Sequence, residues 1–175
     1  MLQAVLSRLQ PGFAAPILIV QHISLGFADG LVQWLARSSG YPVQVAAPGD
    51  FPQPGTAYVA PDGAQMTLRS DGHIALAADP LEYGFRPSVA ALFRSVAAHH
   101  ARRAVGVLLT GMGQDGAREL RLLREAGALT IVQDSASAAV NGMPGEALRL
   151  GAAMHVLPPE GIAAMLNRLL QTRGV

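Results

Sequence analysis

Val105-Gly-Val-Leu-Leu-Thr-Gly-Met-Gly-Gln-Asp-Gly116 is the stretch on which the fold turns. Its first half is an apolar run with the character of a buried strand. Its second half is a glycine-rich turn that opens a helical stretch, Ala117 to Ala126. A strand that ends in such a turn and enters a helix is where α/β proteins place ligand and catalytic groups. Two chemistries fit these residues. As Gly-x-Gly-x-x-Gly, the residues Gly111, Gly113 and Gly116 would cradle a pyrophosphate, with Asp134 at the end of the next strand as the ribose-binding acid. As a loop presenting Asp115, they would hold and orient a catalytic histidine. Asp115 weighs against the first reading, because a carboxylate at a helix start repels the phosphate that the helix N-terminus would attract. The unit also lies late in the chain, and Gln133-Asp134-Ser135 reads equally well as a strand-ending turn.

Working outward, the same alternation recurs. Pro16 to Val20 reads as a parallel strand that delivers Gln21 and His22 to its C-terminal edge. Gly26 to Ser39 carries Phe27, Leu31, Trp34 and Leu35 at helical spacing and closes at Gly40. Val43 to Ala46 and Leu129 to Val132 are further strands, with Met154 to Leu157 a late one. Helices are predicted from Leu2 to Leu9, Pro87 to Ala98, Pro144 to Leu150 and Glu160 to Leu170. Ala117 to Ala126 is amphipathic, with Leu120 and Leu123 inward and Arg118, Glu119, Arg121, Arg124 and Glu125 outward. Residues 47–85 change character, being rich in Pro, Gly and Asp. Short strands at Ala57 to Ala60, Met66 to Leu68 and Ile74 to Leu76, with Ser70-Asp71-Gly72 as turn chemistry, predict an antiparallel excursion. The fold expected is α/β: a doubly wound, mostly parallel sheet with helices on both faces and a short antiparallel hairpin excursion.

Composition narrows the function. At 175 residues with 50% hydrophobic and 14% charged positions, the chain is one globular domain rather than a disordered one. A formal charge of +1 gives no global reason to expect nucleic acid or an anionic membrane as partner. The cluster Arg94, Arg102 and Arg103 reads as a solvated helix end. Zero cysteines exclude disulfides, zinc–thiolate sites and a cysteine nucleophile. No apolar run has the length of a membrane span, and the N-terminus lacks secretory-signal features, so a cytoplasmic location is expected. His99 and His100 are adjacent on a helix, where side chains diverge, and make a poor metal pair. No cofactor or metal is expected.

The broader pattern resembles the catalytic domain of the chemotaxis protein-glutamate methylesterases (CheB type). The matching segments are Ile19-Val-Gln-His22 with Gly26-Phe27, Pro54 through Pro61, Arg86-Pro-Ser-Val89 with Leu92-Phe93, Val105 through Gly116, Thr130 through Asp134, and Gly142-Met-Pro144. They span nearly the whole chain in the family's order, and Leu-Thr-Gly-Met-Gly-x-Asp-Gly is the most specific. The resemblance implies a Ser–His–Asp triad that hydrolyses glutamate methyl esters on the cytoplasmic helices of chemoreceptors, with glutamine deamidation as a second activity. It implies His22 as general base, Asp115 as orienting acid, and Met112, with Gly111 and Gly113, as the loop whose backbone helps bind the oxyanion. Methylated chemoreceptors are the implied partners, with a receiver domain or another chemotaxis signalling protein as regulator; nucleic acid and direct membrane insertion are not.

The family's nucleophile lies in a Gly-x-Ser-x-Gly-Gly turn ahead of its first helix, and no such turn occurs in residues 1–175. The expectation is therefore a methylesterase-like domain over 1–175, incomplete at its N-terminus, without a receiver domain, and inactive as written. Ser7 and Ser24 do not substitute, since neither follows a strand in a glycine-framed turn, and Ser88 reads as a capping or first-turn helix residue. The alternative expectation is a catalytically inactive relative that binds receptor or partner. Other departures are Ala90 for an aspartate, Gln65 for a histidine, Ser24 and Leu25 for prolines, Asn141 for an aromatic and Gly145 for a basic residue. They bear on receptor recognition more than on the histidine–aspartate pair.

Overall fold

The computed structural model describes residues 1–171, and the last residues of the expected 1–175 domain lie outside the described residues. The elements run α1 (Leu2–Leu6), β1 (Ile17–Ile19), α2 (Ala28–Ser39), β2 (Val43–Val45), β3 (Ala57–Val59), β4 (Gln65–Leu68), β5 (Ile74–Ala77), α3 (Val89–His99), β6 (Val105–Leu108), α4 (Ala117–Glu125), β7 (Leu129–Gln133), α5 (Gly142–Arg149), β8 (His155–Leu157) and α6 (Pro159–Gln171). The six longer-range strands form two parallel three-stranded sheets, β1-β3-β2 and β6-β7-β8. Among the described residues, only β4 and β5 form the antiparallel excursion, with Gln65 opposite Ala77 and Leu68 opposite Ile74; Ala57–Val59, expected within it, is instead the central strand of the first parallel sheet. Its turn closes through Gly72, whose φ of 87° is open to glycine.

Strand alternation assigns the helices to two faces. Ile17, Ile19, Ala57, Val59 and Ile131 pack into one cluster with Val5, Leu6, Leu35 and Ile162 of α1, α2 and α6. On the other face, Leu108 and Val132 meet Phe93, Leu120, Leu123 and Ala147 of α3, α4 and α5. Leu18, Tyr58 and Ala60 meet Met66, Ile74 and Leu92, which seats the hairpin against α3. The doubly wound α/β architecture is thus present, with helices on both faces. Among the described residues, β1 and β6 each pair along one edge only, and the partly buried Ile17, Val105 and Val107 share the first cluster.

Several boundaries differ from expectation for local reasons. Helix α3 begins at Val89 because Ser88 is its N-cap, extended and accepting from the Ala91 N–H at 3.3 Å; Pro87 therefore precedes the cap. Helix α5 begins at Gly142, two residues before Pro144, because the Met143 N–H donates to the Gly111 carbonyl at 2.9 Å. Phe27 and Trp34, expected on the inward stripe of α2, are 63% and 51% exposed, and Leu35 alone is fully buried there. Glu119, expected outward, is buried at 7% exposure.

Gly30, inside α2, has ordinary helical φ and no atom within 4 Å of a built Cβ. Gly30→Ala is expected to stabilise the protein by about 0.4–1 kcal/mol, by restricting the unfolded chain without a native clash. Chemical denaturation would check this; a lower midpoint would refute it.

Candidate active site

Two loops at the C-terminal ends of parallel strands meet at α3. The segment after β1 carries His22, and the turn after β6 carries Asp115. The Asp115 side chain is fully buried. Its Oδ2 lies 2.7 Å from His22 Nε2 and also accepts the Val89 N–H at 2.7 Å, while its Oδ1 accepts the Ala90 N–H at 3.0 Å. The carboxylate thus sits on the first turn of α3, not at the start of its own helix. Helix α4 instead begins from Gly116 in the left-handed region, with no side-chain cap. The free N–H groups and positive end of α3 favour an anion there.

Only the tip of the imidazole reaches Asp115. An ionised carboxylate can only accept, so its hydrogen bond with His22 assigns the proton to Nε2. Nδ1 is then the nitrogen with a lone pair. One face of the ring is stacked on Phe85, with centroids 3.7 Å apart and planes at 3°. Sequence reasoning missed Phe85, although it stands directly before the Arg86-Pro-Ser-Val89 segment.

The 111–113 loop is tied to the segment after β7. The Gly111 N–H donates to the Val140 carbonyl at 3.0 Å, and Thr110 Oγ1 both accepts from Val140 N–H and donates to its carbonyl. The Thr110 N–H donates to the buried Gln133 amide at 2.9 Å. A Cβ on Gly142 would lie within 3.0 Å of Gly111 and Gly113 backbone atoms, so the α5 N-terminus packs directly on this loop. Met112 projects from it, 79% exposed. A cleft of about 200 Å³ lined by Met1, Leu2, Gln21, Leu109 and Thr110, among others, opens beside these strand ends.

Packing accounts for Gly111, where a Cβ would meet the Met143 side chain, and for Gly116 without a nucleotide. Gly116 is required because a Cβ there would lie 2.4 Å from Val89 Cγ1, and the Asp115 carboxylate is turned toward α3. Asp134 accepts from the Ser137 hydroxyl and N–H, and those bonds hold its carboxyl below the usual range. The remaining histidines are not brought to the site: His100 Nε2 lies 2.7 Å from the Arg69 carbonyl oxygen, and His73 sits beside Asp71. Among the described residues no group of three or more His, Asp and Glu side chains could hold a metal, and no helix is long and apolar enough to cross a membrane.

Arg94 is solvent-exposed, as expected, but lies in the middle of α3 rather than at its end, where it pairs with Glu82 and lies 3.8 Å from Glu119. Burial pushes the Glu119 carboxyl above its ordinary pKa; Arg94 opposes this and the nearby Asp115 adds to it. Among the described residues, Glu119 Oε2 has no hydrogen-bond partner. A raised folded-state pKa means that the folded protein holds this proton more tightly, so stability falls as pH rises above the ordinary glutamate range. Glu119→Gln is expected to gain on wild type in melting temperature as pH rises from about 4 to about 8. Melts across that window would check it, and a constant difference would refute it.

The fold and site define a doubly wound α/β domain in which a partly exposed histidine pairs with a buried aspartate at the strand ends. A family model described as CheB methylesterase matches residues 1–166. A protein-glutamate methylesterase/protein-glutamine glutaminase of Nitrosospira multiformis is 54% identical over 99% of this chain and 49% of its own length. One of Geobacter metallireducens is 56% identical over 96% of the chain and 49% of its own length. The crystal structure of the Thermotoga maritima CheB methylesterase catalytic domain superposes with a TM-score of 0.91 at 30% identity, covering 96% of this chain and 90% of that one. The chain belongs to the CheB methylesterase family. It spans about half the length of the curated relatives it matches.

Proposed function

We propose that these residues supply the base and acid of a serine hydrolase that removes methyl groups from chemoreceptor glutamates and deamidates glutamines. The observation that carries the reading is the His22–Asp115 pair, in which a buried carboxylate faces three hydrogen-bond donors and fixes the imidazole tip. In this scheme Nδ1 of His22 takes the serine hydroxyl proton as the serine oxygen attacks the ester carbonyl. The resulting imidazolium, steadied by Asp115, returns the proton to the departing methoxide, and methanol leaves. Water then repeats the sequence on the acyl-serine. The Met112 backbone, in the braced 111–113 loop, lies in the role of an oxyanion donor, a kind of group typically worth about 3–4 kcal/mol of barrier.

No residue of 1–175 stands in the turn that would present the serine. The cleft bounded by Met1, Gln21, Leu109 and Thr110 is the place we assign to it. Methylated receptor helices are the proposed substrate, and a receiver domain or separate signalling protein the proposed regulator. Methanol release from methylated receptor membranes, by the full-length protein that carries these residues and by its His22→Ala variant, tests this. Release that depends on His22 is expected. Equal rates would remove the reading, and receptor binding without turnover in any natural form would favour the inactive binding relative.

A further inference from the structure

Asp115 holds His22 only by the tip of its ring. One hydrogen bond at Nε2 fixes where that tip lies. It restrains only loosely the turn of the ring about its Cβ–Cγ axis, because Nε2 lies closer to that axis than Nδ1 does, and that turn decides where Nδ1 points. The flat contact with Phe85, 3.7 Å between centroids and 3° between planes, removes the rotation.

Phe85 lies in an irregular segment and needs its own support. Tyr83 and Gly84 both have positive φ, so the chain reverses there, and Glu82 and Phe85 exchange backbone hydrogen bonds at 3.0 and 2.8 Å across the reversal. Gln65, only 1% exposed, commits its amide to this segment. Its Nε2 donates to the carbonyls of Pro80 and Phe85 at 3.1 and 3.2 Å, and its Oε1 accepts the Ser88 N–H at 2.8 Å. Ser88 is followed by Val89 and Ala90, whose N–H groups hold Asp115. One buried amide therefore registers both the ring that covers His22 and the helix turn that holds its acid.

We propose that Phe85 and Gln65 are positioning residues for His22, Phe85 setting the plane of the imidazole and Gln65 setting Phe85. This rests on the reading of His22 as the general base. Neither residue touches the reacting atoms. Their effect is on aim, where a misplacement of about 1 Å can cost about a hundredfold in rate.

Two measurements test it. The first is proton NMR of His22 in the chain itself, where a stacked Phe85 shifts the imidazole ring protons upfield. That shift is expected in wild type and in Phe85→Tyr, absent in Phe85→Leu, and diminished in Gln65→Leu. The second is ester turnover in the full-length protein, with Phe85→Leu expected to lose about 10- to 100-fold in kcat with KM within about twofold, and Phe85→Tyr expected to restore it. His22 ring protons that do not respond to Phe85→Leu, or a kcat within about twofold of wild type, would overturn the proposal. His22→Ala run alongside separates the two readings. Intact turnover in that variant overturns the general base and this role with it, whereas its loss beside intact Phe85→Leu turnover overturns the positioning role alone. Should Gln65→Leu not fold, the half-buried loop residue Phe85 still carries both measurements.

Discussion

Asp115→Asn in the full-length protein is expected to lower kcat for ester hydrolysis by about 10⁴ with little change in substrate binding, the scale at which a triad acid is lost when it becomes its amide. The reason lies in which atoms face the carboxylate. Oδ2 meets two N–H groups, from His22 and Val89, and Oδ1 meets a third, from Ala90. An amide has one oxygen. If its NH₂ takes the Oδ2 place, it faces the Val89 N–H and forces His22 Nε2 to become the acceptor. The imidazole proton then moves to Nδ1, the nitrogen that takes the serine proton in the proposed mechanism, and in that mechanism the base is lost. If the NH₂ takes the Oδ1 place, it opposes the Ala90 N–H. Either orientation leaves a buried donor against a donor, so a stability loss of about 1–3 kcal/mol should accompany the kinetic one. Nitrogen NMR of His22 in the chain itself would read the tautomer directly, with protonated Nε2 in wild type. His22→Ala should cost a similar factor, and the double variant little more, because the pair acts as a unit. A kcat for Asp115→Asn within about tenfold of wild type would end this account.

The reach of the sequence can be judged from the same residues. Strands β1, β6 and β7 were legible because buried parallel strands are continuous apolar runs, and the hairpin because Ser70-Asp71-Gly72 carries its own turn chemistry. Strand β3 was legible as a strand but not as the parallel strand between β1 and β2, because the Pro- and Gly-rich residues around it grouped it with the hairpin. His22 and Asp115 were legible as a pair only through the family resemblance; nothing local joins positions 93 residues apart. How Asp115 is held was not legible. Its position before Gly116 suggested that it serves its own helix, yet its donors come from α3, 25 and 26 residues upstream. That contact depends on α3 crossing close to the 115–116 turn, a matter of packing rather than of local pattern. Gln65 stood out only as a departure from a histidine, and its three hydrogen bonds all lead to backbone groups, which leave no trace in residue type. Glu119 went wrong for a related reason. Helical spacing placed it with the charged face of α4, but the Glu82–Arg94 pair closes over that position.

Gly116→Ala joins packing and chemistry in one substitution. Gly116 has φ of 77°, where an L-residue costs about 1–2 kcal/mol. Its built Cβ would also lie 2.4 Å from Cγ1 and 2.9 Å from Cβ of Val89. Rotating the valine removes the first clash but not the second, because Cβ moves only with the backbone. The first turn of α3 must shift, and with it the Val89 N–H that Asp115 Oδ2 accepts. Overpacking of this kind adds about 1–3 kcal/mol, so a total loss of about 2–5 kcal/mol is expected. Gly113→Ala is the matched control. Gly113 has φ of 87°, also left-handed, but nothing lies within 4 Å of its built Cβ, so only the conformational cost applies. The difference in denaturation free energy between the two variants isolates the contact with Val89. Activity should divide in the same way, with Gly116→Ala losing more kcat than Gly113→Ala at temperatures where both remain folded. Equal stability and equal turnover in the two variants would mean that α3 is not held against the 115–116 turn, and that the carboxylate owes its place to something other than the Val89 N–H.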